Sequence, residues 1–298
     1  MRRFLRRHMT TALGKAMKLR YVIILLAFFA SPRLLFAGPP FQTDDPEPVD
    51  LQHFEFYTFG NADGHAPEMD TAGPAAEFNW GALPNLQLHI VVPAAAIFPA
   101  DGSREFGLGD IELGAKYRYL KETKYRPMIG TFTMFEVPSG NPAKGLGNGR
   151  GWARLPVWLQ KSFGTWTTYG GVGETINPAP GFKNYTFGGW LLERDIGKKW
   201  TLGGEVFSHG GEGDAAPQNR ASALIDLGGY YYFRNPGFQL LFAYGHTVAG
   251  QAENYAYLGL YWTWGNDKDK GPTTDSSRER PRLAFTPPIS PNRNSVPY

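Results

Sequence analysis

Apolar and polar residues alternate with a period of two along most of this chain. In the stretch around Ile111–Leu120, the residues Ile111, Leu113, Ala115, Tyr117 and Tyr119 fall on one side of an extended backbone. Asp110, Glu112, Gly114, Lys116 and Arg118 fall on the other. Successive side chains on a strand point to opposite faces, so such a stretch reads as a strand with one apolar and one charged face. A soluble sandwich turns the apolar face inward; a membrane barrel turns it to lipid and the charges to a wet lumen.

Twelve stretches carry a strand pattern: Gln52–Phe59, Ala75–Leu83, Leu86–Ile97, Leu108–Leu120, Met128–Val137, Ala153–Phe163, Trp166–Ile176, Tyr185–Asp195, Trp200–Ser208, Ala221–Phe233, Phe238–Gly245 and Asn254–Trp264. Met128–Val137 alternates poorly, because Phe132 and Met134 compete with Ile129 and Thr131 for the apolar face. The links alternate in length. Asn61–Gly73 reads as a long loop, Pro84-Asn85 as a tight turn, and the alternation continues with some blur at the fourth link. Outer-membrane barrels have short turns on one rim and long loops on the other, whereas Greek-key sandwiches have no reason to alternate. Trp80, Trp200, Trp262, Trp264, Tyr117, Tyr119 and Phe233 stand near strand ends, where aromatic girdles belong. The pattern predicts an all-β, twelve-stranded antiparallel transmembrane barrel over residues 52–264, in the outer membrane and in contact with its lipid. A soluble periplasmic β protein is the alternative on fold.

Composition agrees. Of 298 residues, 37 are Gly, 15% are aromatic and 19% are charged, against roughly 25% charged in ordinary soluble domains. Residues 1–37 read as an export signal: a basic, acid-free start, the apolar run Tyr21–Ala30, and Leu35-Phe36-Ala37 before Gly38. Without the Lys and Arg of that segment, the formal net charge falls from +3 to −5, which removes any basis for nucleic-acid binding. There is no cysteine, so a closed ladder rather than disulfides must hold the fold. Residues 38–51, rich in proline and acid, read as an N-terminal arm. Within it, Phe41, Gln42, Thr43, Asp44 and Asp45 form a candidate lumen plug, with Lys116 or Arg118 as ion-pair partners for the two aspartates. Residues 265–298 read as a polar, proline-rich periplasmic tail without a core of its own.

The segments GPPFQTDDPEPVDLQHFEFYTF, GLGDIELGAKYRYL and VPSGNPAKGLGNG, followed by LPVWLQKSFGTWTTYGG, resemble bacterial outer-membrane β-barrels grouped as a transporter family of the MetA pathway of phenol degradation. The likeness covers about residues 38–264. It implies a barrel that passes small, aromatic molecules, and it assigns no binding residue. Such barrels commonly end on an aromatic; Trp264 fits that place, though the chain runs on beyond it. Biogenesis then involves the barrel-assembly machinery.

Candidate chemistry is sparse. Glu55, Glu77, Asp110, Glu112, Lys116, Arg118, Arg154, Glu205 and Asp226 lie on polar faces and are candidates for a selectivity lining, or for a structural ion-pair network. Tyr57, Trp158, Tyr169 and Tyr230 either guide an aromatic solute or fill space. Gly145–Gly151 has the glycines of a phosphate loop without the strand–helix context, and reads as a mobile external loop. The acidic stretch His209–Asn219 lacks the ligand spacing of a calcium loop. No His pair has metal-ligand spacing, and neither metal nor cofactor is expected. An outer-membrane hydrolase needs Ser and His together. Ser208 and His209 are neighbours and point to opposite faces, while Ser103, Ser139 and Ser222 have no evident partner. The expected function is passive passage of small solutes through a channel rather than enzymatic. The alternatives are a non-conducting structural or surface-interaction barrel and, third, an outer-membrane hydrolase.

Overall fold

The computed structural model describes residues 40–65, 68–98, 102–213, 220–234, 237–250 and 252–265. The expected export signal and C-terminal tail lie outside the described residues. The strands are β1 (His53–His65), β2 (Glu68–Leu83), β3 (Leu86–Phe98), β4 (Glu105–Leu108), β5 (Ile111–Leu120), β6 (Met128–Val137), β7 (Trp152–Phe163), β8 (Trp166–Ile176), β9 (Tyr185–Ile196), β10 (Trp200–His209), β11 (Ser222–Tyr232), β12 (Phe238–Ala249) and β13 (Asn254–Gly265). Every pairing is antiparallel; apart from β3 with β5 they join chain neighbours, and β1 pairs with β13 to close the sheet. β4 and β5 both pair with β3 and form one barrel strand interrupted at Gly109–Asp110. The result is a closed twelve-stranded barrel. Closure pairs every strand on both sides except the short β4, which pairs with β3 alone; it needs no disulfides and is what a lipid environment demands.

The alternation decides which way each strand faces. On β11, Asp226 and Tyr230 are buried at 1% and 2%, while Ile225 and Leu227 are exposed at 45% and 69%. On β13, Tyr255, Tyr257 and Tyr261 turn inward and Leu258 outward. The apolar residues therefore coat the outside and the polar ones the lumen, the inverse of a soluble barrel. β6 alternates too, but with apolar residues on its inner face. Met128, Phe132 and Met134 are buried inside and Phe135 is exposed, because the interior accepts Phe132 beside the His89 ring. An outer aromatic belt marks the short-turn rim: Phe54 stacks with Phe78, Trp80 and Trp264, and Phe56 meets Trp262 at a tilt.

One expected loop is strand instead. β1 runs on to His65 and β2 begins at Glu68, with Asn61 opposite Ala72 and Asp63 opposite Asp70. The glycines and proline that read as loop residues do something else. Gly60 and Gly73-Pro74 sit where the register shifts between Phe59 and Asn61. They absorb a bulge, and the hairpin continues past it. β12 likewise extends to Ala249, through residues that read as a link.

The long-loop rim is cross-linked. The Asp110 carboxylate accepts the amides of Gly140 and Asn148 at 2.8 and 2.7 Å, which ties down the loop between β6 and β7. Leu146 of that loop is buried against Gly107, and Ile97 stands beside its neighbour Gly145. The Asn148 side chain donates to Asn177 Oδ1 at 3.0 Å, reaching the next loop. That loop in turn bridges through Phe182 to Gly213.

Candidate functional site

The lumen has two unlike walls with a peptide between them. The first wall, from β1 to β7, is ionic. Tyr261 donates to Glu55 at 2.9 Å, and Asn79 donates to Glu77 at 2.8 Å. The His89 ring lies 2.7 Å from Asn79 Oδ1 through Nδ1 and 2.8 Å from Glu112 through Nε2. Glu136 stands across the β5–β6 ladder from Glu112, and Arg154 on β7 is within electrostatic reach of both. Lys116 and Arg118 complete the cations of this wall.

The second wall, from β8 to β13, is aromatic and aliphatic. Tyr169, Leu191, Leu224, Tyr230, Leu241, Tyr255, Tyr257 and Tyr261 form one buried cluster, joined by Tyr57 of β1. Three acids interrupt it. Glu205 lies directly across from Asp226, and both Asp226 oxygens and Glu193 Oε2 are buried without hydrogen-bond partners among the described residues. A low-dielectric site makes an unpaired acid costly, so these carboxyls are the least satisfied groups of this wall.

The arm, residues 40–50, runs between the walls and touches both. Its three described prolines carry no N–H to satisfy, which suits a segment that joins no ladder. The amides of Gln42 and Thr43 donate to the two oxygens of Glu205 at 3.1 and 2.8 Å. The Val49 amide donates to Gln87 Oε1 at 2.9 Å, and the Tyr255 hydroxyl donates to the Pro40 carbonyl at 2.8 Å. Phe41 packs into the tyrosine cluster. On the ionic wall, Lys116 Nζ lies 3.0 Å from Asp45 and 3.6 Å from Asp44. Arg118 faces Glu47 at 3.8 Å and holds Asn85 through two hydrogen bonds. Asp45 is fully buried, and burial raises its carboxyl to about 7 against the lowering pull of Lys116.

Two inward glycines make room for this arm. A Cβ at Gly189 would overlap the Thr43 hydroxyl, and one at Gly130 would press on Pro46. Close approach of a second backbone is a common reason for glycine inside a strand.

Above the arm lies a cavity of about 150 Å³. Gln42 lines it from the arm, Arg154, Tyr185, Phe187 and Phe207 from one side, and Asp63, Glu253 and Tyr255 from the other. The Arg154 guanidinium lies 5.1 Å from the Trp152 ring and 5.9 Å from the Phe187 ring. His209, Glu212 and Ser222 also line the cavity. Ser222 Oγ is 2.6 Å from His209 Nε2, and Glu212 Oε1 is 3.1 Å from His209 Nδ1. Sequence reasoning missed this trio. It compared His209 with Ser208, its neighbour on the opposite face, whereas the β10–β11 register puts Ser222 directly across from His209. The link from His209 to Ser222 is too long to fix that register from the sequence, so the pairing becomes visible only in the structure.

Glu77, Lys116, Glu205 and Asp226 lie buried on the inner face, and Glu55, Glu112, Arg118 and Arg154 are partly buried there. Asp110 stands apart at the long-loop rim, engaged with loop amides. Among the described residues no group of three His, Cys, Asp or Glu side chains is placed to hold a metal ion.

The chain matches no family model and no curated relative. Among solved structures it is similar to the COG4313 outer membrane channel from Pseudomonas putida F1, with a TM-score of 0.59 and 14% identity, covering 77% of this chain and 100% of that one. It is also similar to the NanC porin, with a TM-score of 0.50 and 8% identity, covering 70% of this chain and 98% of that one. At these identities the likeness concerns the fold, which is that of outer-membrane channels.

Proposed function

We propose that this chain is an outer-membrane channel for passive passage of small solutes, narrowed by its own N-terminal arm. One observation carries the reading. The lumen is spanned by a separate peptide, held at its ends and middle by side chains that exist for it: Glu205, Lys116, Gln87 and Tyr255. A barrel that served only as a scaffold needs no removable segment. The similarity to an outer membrane channel and a porin supports the same reading.

In this reading Glu55, Glu77, Glu112, Lys116, Arg118, Arg154, Glu205 and Asp226 line the path and bias which solutes pass, while Asp110 organises the external loops. Residues 1–37 direct export, residues 38–51 form the plug, and residues 265–298 are a periplasmic tail. The barrel-assembly machinery inserts the protein. The solute class suggested by the resemblance to the phenol-degradation transporters is aromatic, which the inner rings of Tyr57, Trp158, Tyr169 and Tyr230 suit. No catalytic step is needed for this transport.

The test is single-channel conductance in a planar bilayer, with the full mature chain and with a form lacking residues 38–50. Conductance that rises on deletion supports a plugged channel. A second reading, a non-conducting structural barrel, draws on the completeness of the filling, since Tyr169 and Leu191 are 0% exposed. Silence from both forms, with folding verified by heat-modifiable gel mobility, would favour it.

A further inference from the structure

The trio in the upper cavity has an internal logic that transport does not use. His209 Nδ1 lies 2.9 Å from the Gly210 carbonyl and 3.1 Å from Glu212 Oε1. A carbonyl only accepts, so Nδ1 must carry the proton. In a neutral imidazole that leaves Nε2 as a lone-pair acceptor, and the hydroxyl 2.6 Å away, Ser222 Oγ–H, donates to it. This is the tautomer that a general base needs beside a serine nucleophile, with a carboxylate behind the ring. The arrangement comes from three sources: the end of β10, the turn after it, and the start of β11. Its place lining a cavity, rather than on the outer wall, allows a substrate to reach it.

Arg154 supplies the missing element. Among the described residues lining the cavity it is the one permanent cation. Its guanidinium makes no hydrogen bond to a described residue, and it lies within electrostatic reach of Glu212. Positive donors available to a developing oxyanion are a large part of acyl-transfer catalysis. The cavity also carries Asp63 and Glu253, which disfavour retention of a carboxylate product.

We propose that Ser222, His209 and Glu212 form a nucleophile, base and orienting acid, and that the cavity hydrolyses small carboxylic esters. Ser222 Oγ bonds to the acyl carbon as its proton passes to His209 Nε2, and the carbonyl electron pair moves to an oxygen facing Arg154. The carbonyl re-forms, the ester C–O bond breaks, and the departing alkoxide takes the proton from His209. A water then loses a proton to His209 and attacks the acyl-serine. The acid leaves and Ser222 regains its proton. The balance is ester plus water to acid plus alcohol, with no oxidation. A cavity of about 150 Å³ limits the substrate to roughly the size of a substituted benzene.

The test uses the full chain refolded in detergent, with barrel folding followed by heat-modifiable gel mobility. A small alkyl fluorophosphonate serves as covalent probe and p-nitrophenyl acetate as substrate. Mass spectrometry should find the probe on Ser222. S222A should abolish both labelling and turnover, and H209A should slow labelling by about 100-fold or more. Glu212 acts through His209, so E212Q should lower kcat for p-nitrophenyl acetate by about 100-fold or more with KM unchanged, and E212D should restore part of it; a purely structural role gives no such split and no such rescue. Absence of probe on Ser222 in a folded barrel overturns the proposal. So does labelling of H209A at the parent rate, or ester turnover unchanged in S222A.

Discussion

The two walls of the lumen solve the same problem differently. Each must present an interior to a peptide that carries both a phenylalanine and four acids. The wall from β1 to β7 does it with a wired network, Glu55–Asn79–His89–Glu112 and Lys116 with Asp45, in which nearly every polar atom has a named partner. The wall from β8 to β13 does it with tyrosines, whose rings pack against Phe41 while Glu205 and the Tyr255 hydroxyl reach for the arm backbone. The first wall is selective about charge and intolerant of a missing partner. The second offers area and tolerates change. The arm is held by opposite means on its two sides, and substitutions on the two sides should therefore release it to different extents.

The largest effect is expected on the ionic side. Lys116→Met leaves Asp44 and Asp45 buried without their cation, and breaking one side of a buried pair costs about 3–5 kcal/mol. The arm should undock, seen as raised single-channel conductance and new protease sensitivity near residue 45, with the barrel still heat-modifiable. On the tyrosine side Phe41→Ala removes apolar contact worth about 1.5–3 kcal/mol. It should increase the frequency of brief openings in the same recording without steady release. Equal effects from the two would erase the distinction between the walls.

The smallest effect is expected from pH. The docked Asp45 holds its proton to about 7, against 3.8 for a free side chain. Docking thus takes up a proton. The advantage is full below pH 4 and is lost as pH rises through 7. Lys116 opposes the shift, while Asp44 and Glu47 reinforce it. Between pH 8 and pH 6 the docking equilibrium should gain about tenfold, and conductance should fall on acidification. Asp45→Asn should flatten that dependence.

Strand parity made the barrel legible. β3, β7, β8 and β13 could be bounded to within a residue because their outer faces are largely apolar, whereas the expected Leu108–Leu120 strand ran across the break that separates β4 from β5. The β1–β2 hairpin was misread since Gly60 and Gly73-Pro74 have the composition of a loop and the role of a bulge; composition does not tell the two apart. The face of β6 was unreadable because Phe132 and Met134 face an interior that is itself partly apolar. Parity also puts Glu77, Glu112, Lys116, Glu205 and Asp226 on inner faces. It says nothing of which partner each side chain takes, because that depends on the register of separate strands and on the path of the arm. Ser222 and His209 show the same limit: thirteen residues apart in sequence, they meet only through the β10–β11 register.

The central claim is that the arm, rather than the barrel wall, controls passage. The cysteine-free chain allows one direct test. The Thr43 Cβ lies 3.3 Å from where a Cβ would stand on Gly189, close to the spacing of about 3.5–4.5 Å that a disulfide spans. A chain carrying Thr43→Cys and Gly189→Cys should form that bond and hold the arm against β9. Single-channel recording of one sample before and after reduction then isolates the arm's motion. The account predicts few or no openings when oxidised and frequent, larger openings once reduced. Identical conductance in both states, with the disulfide verified by mass, would contradict it.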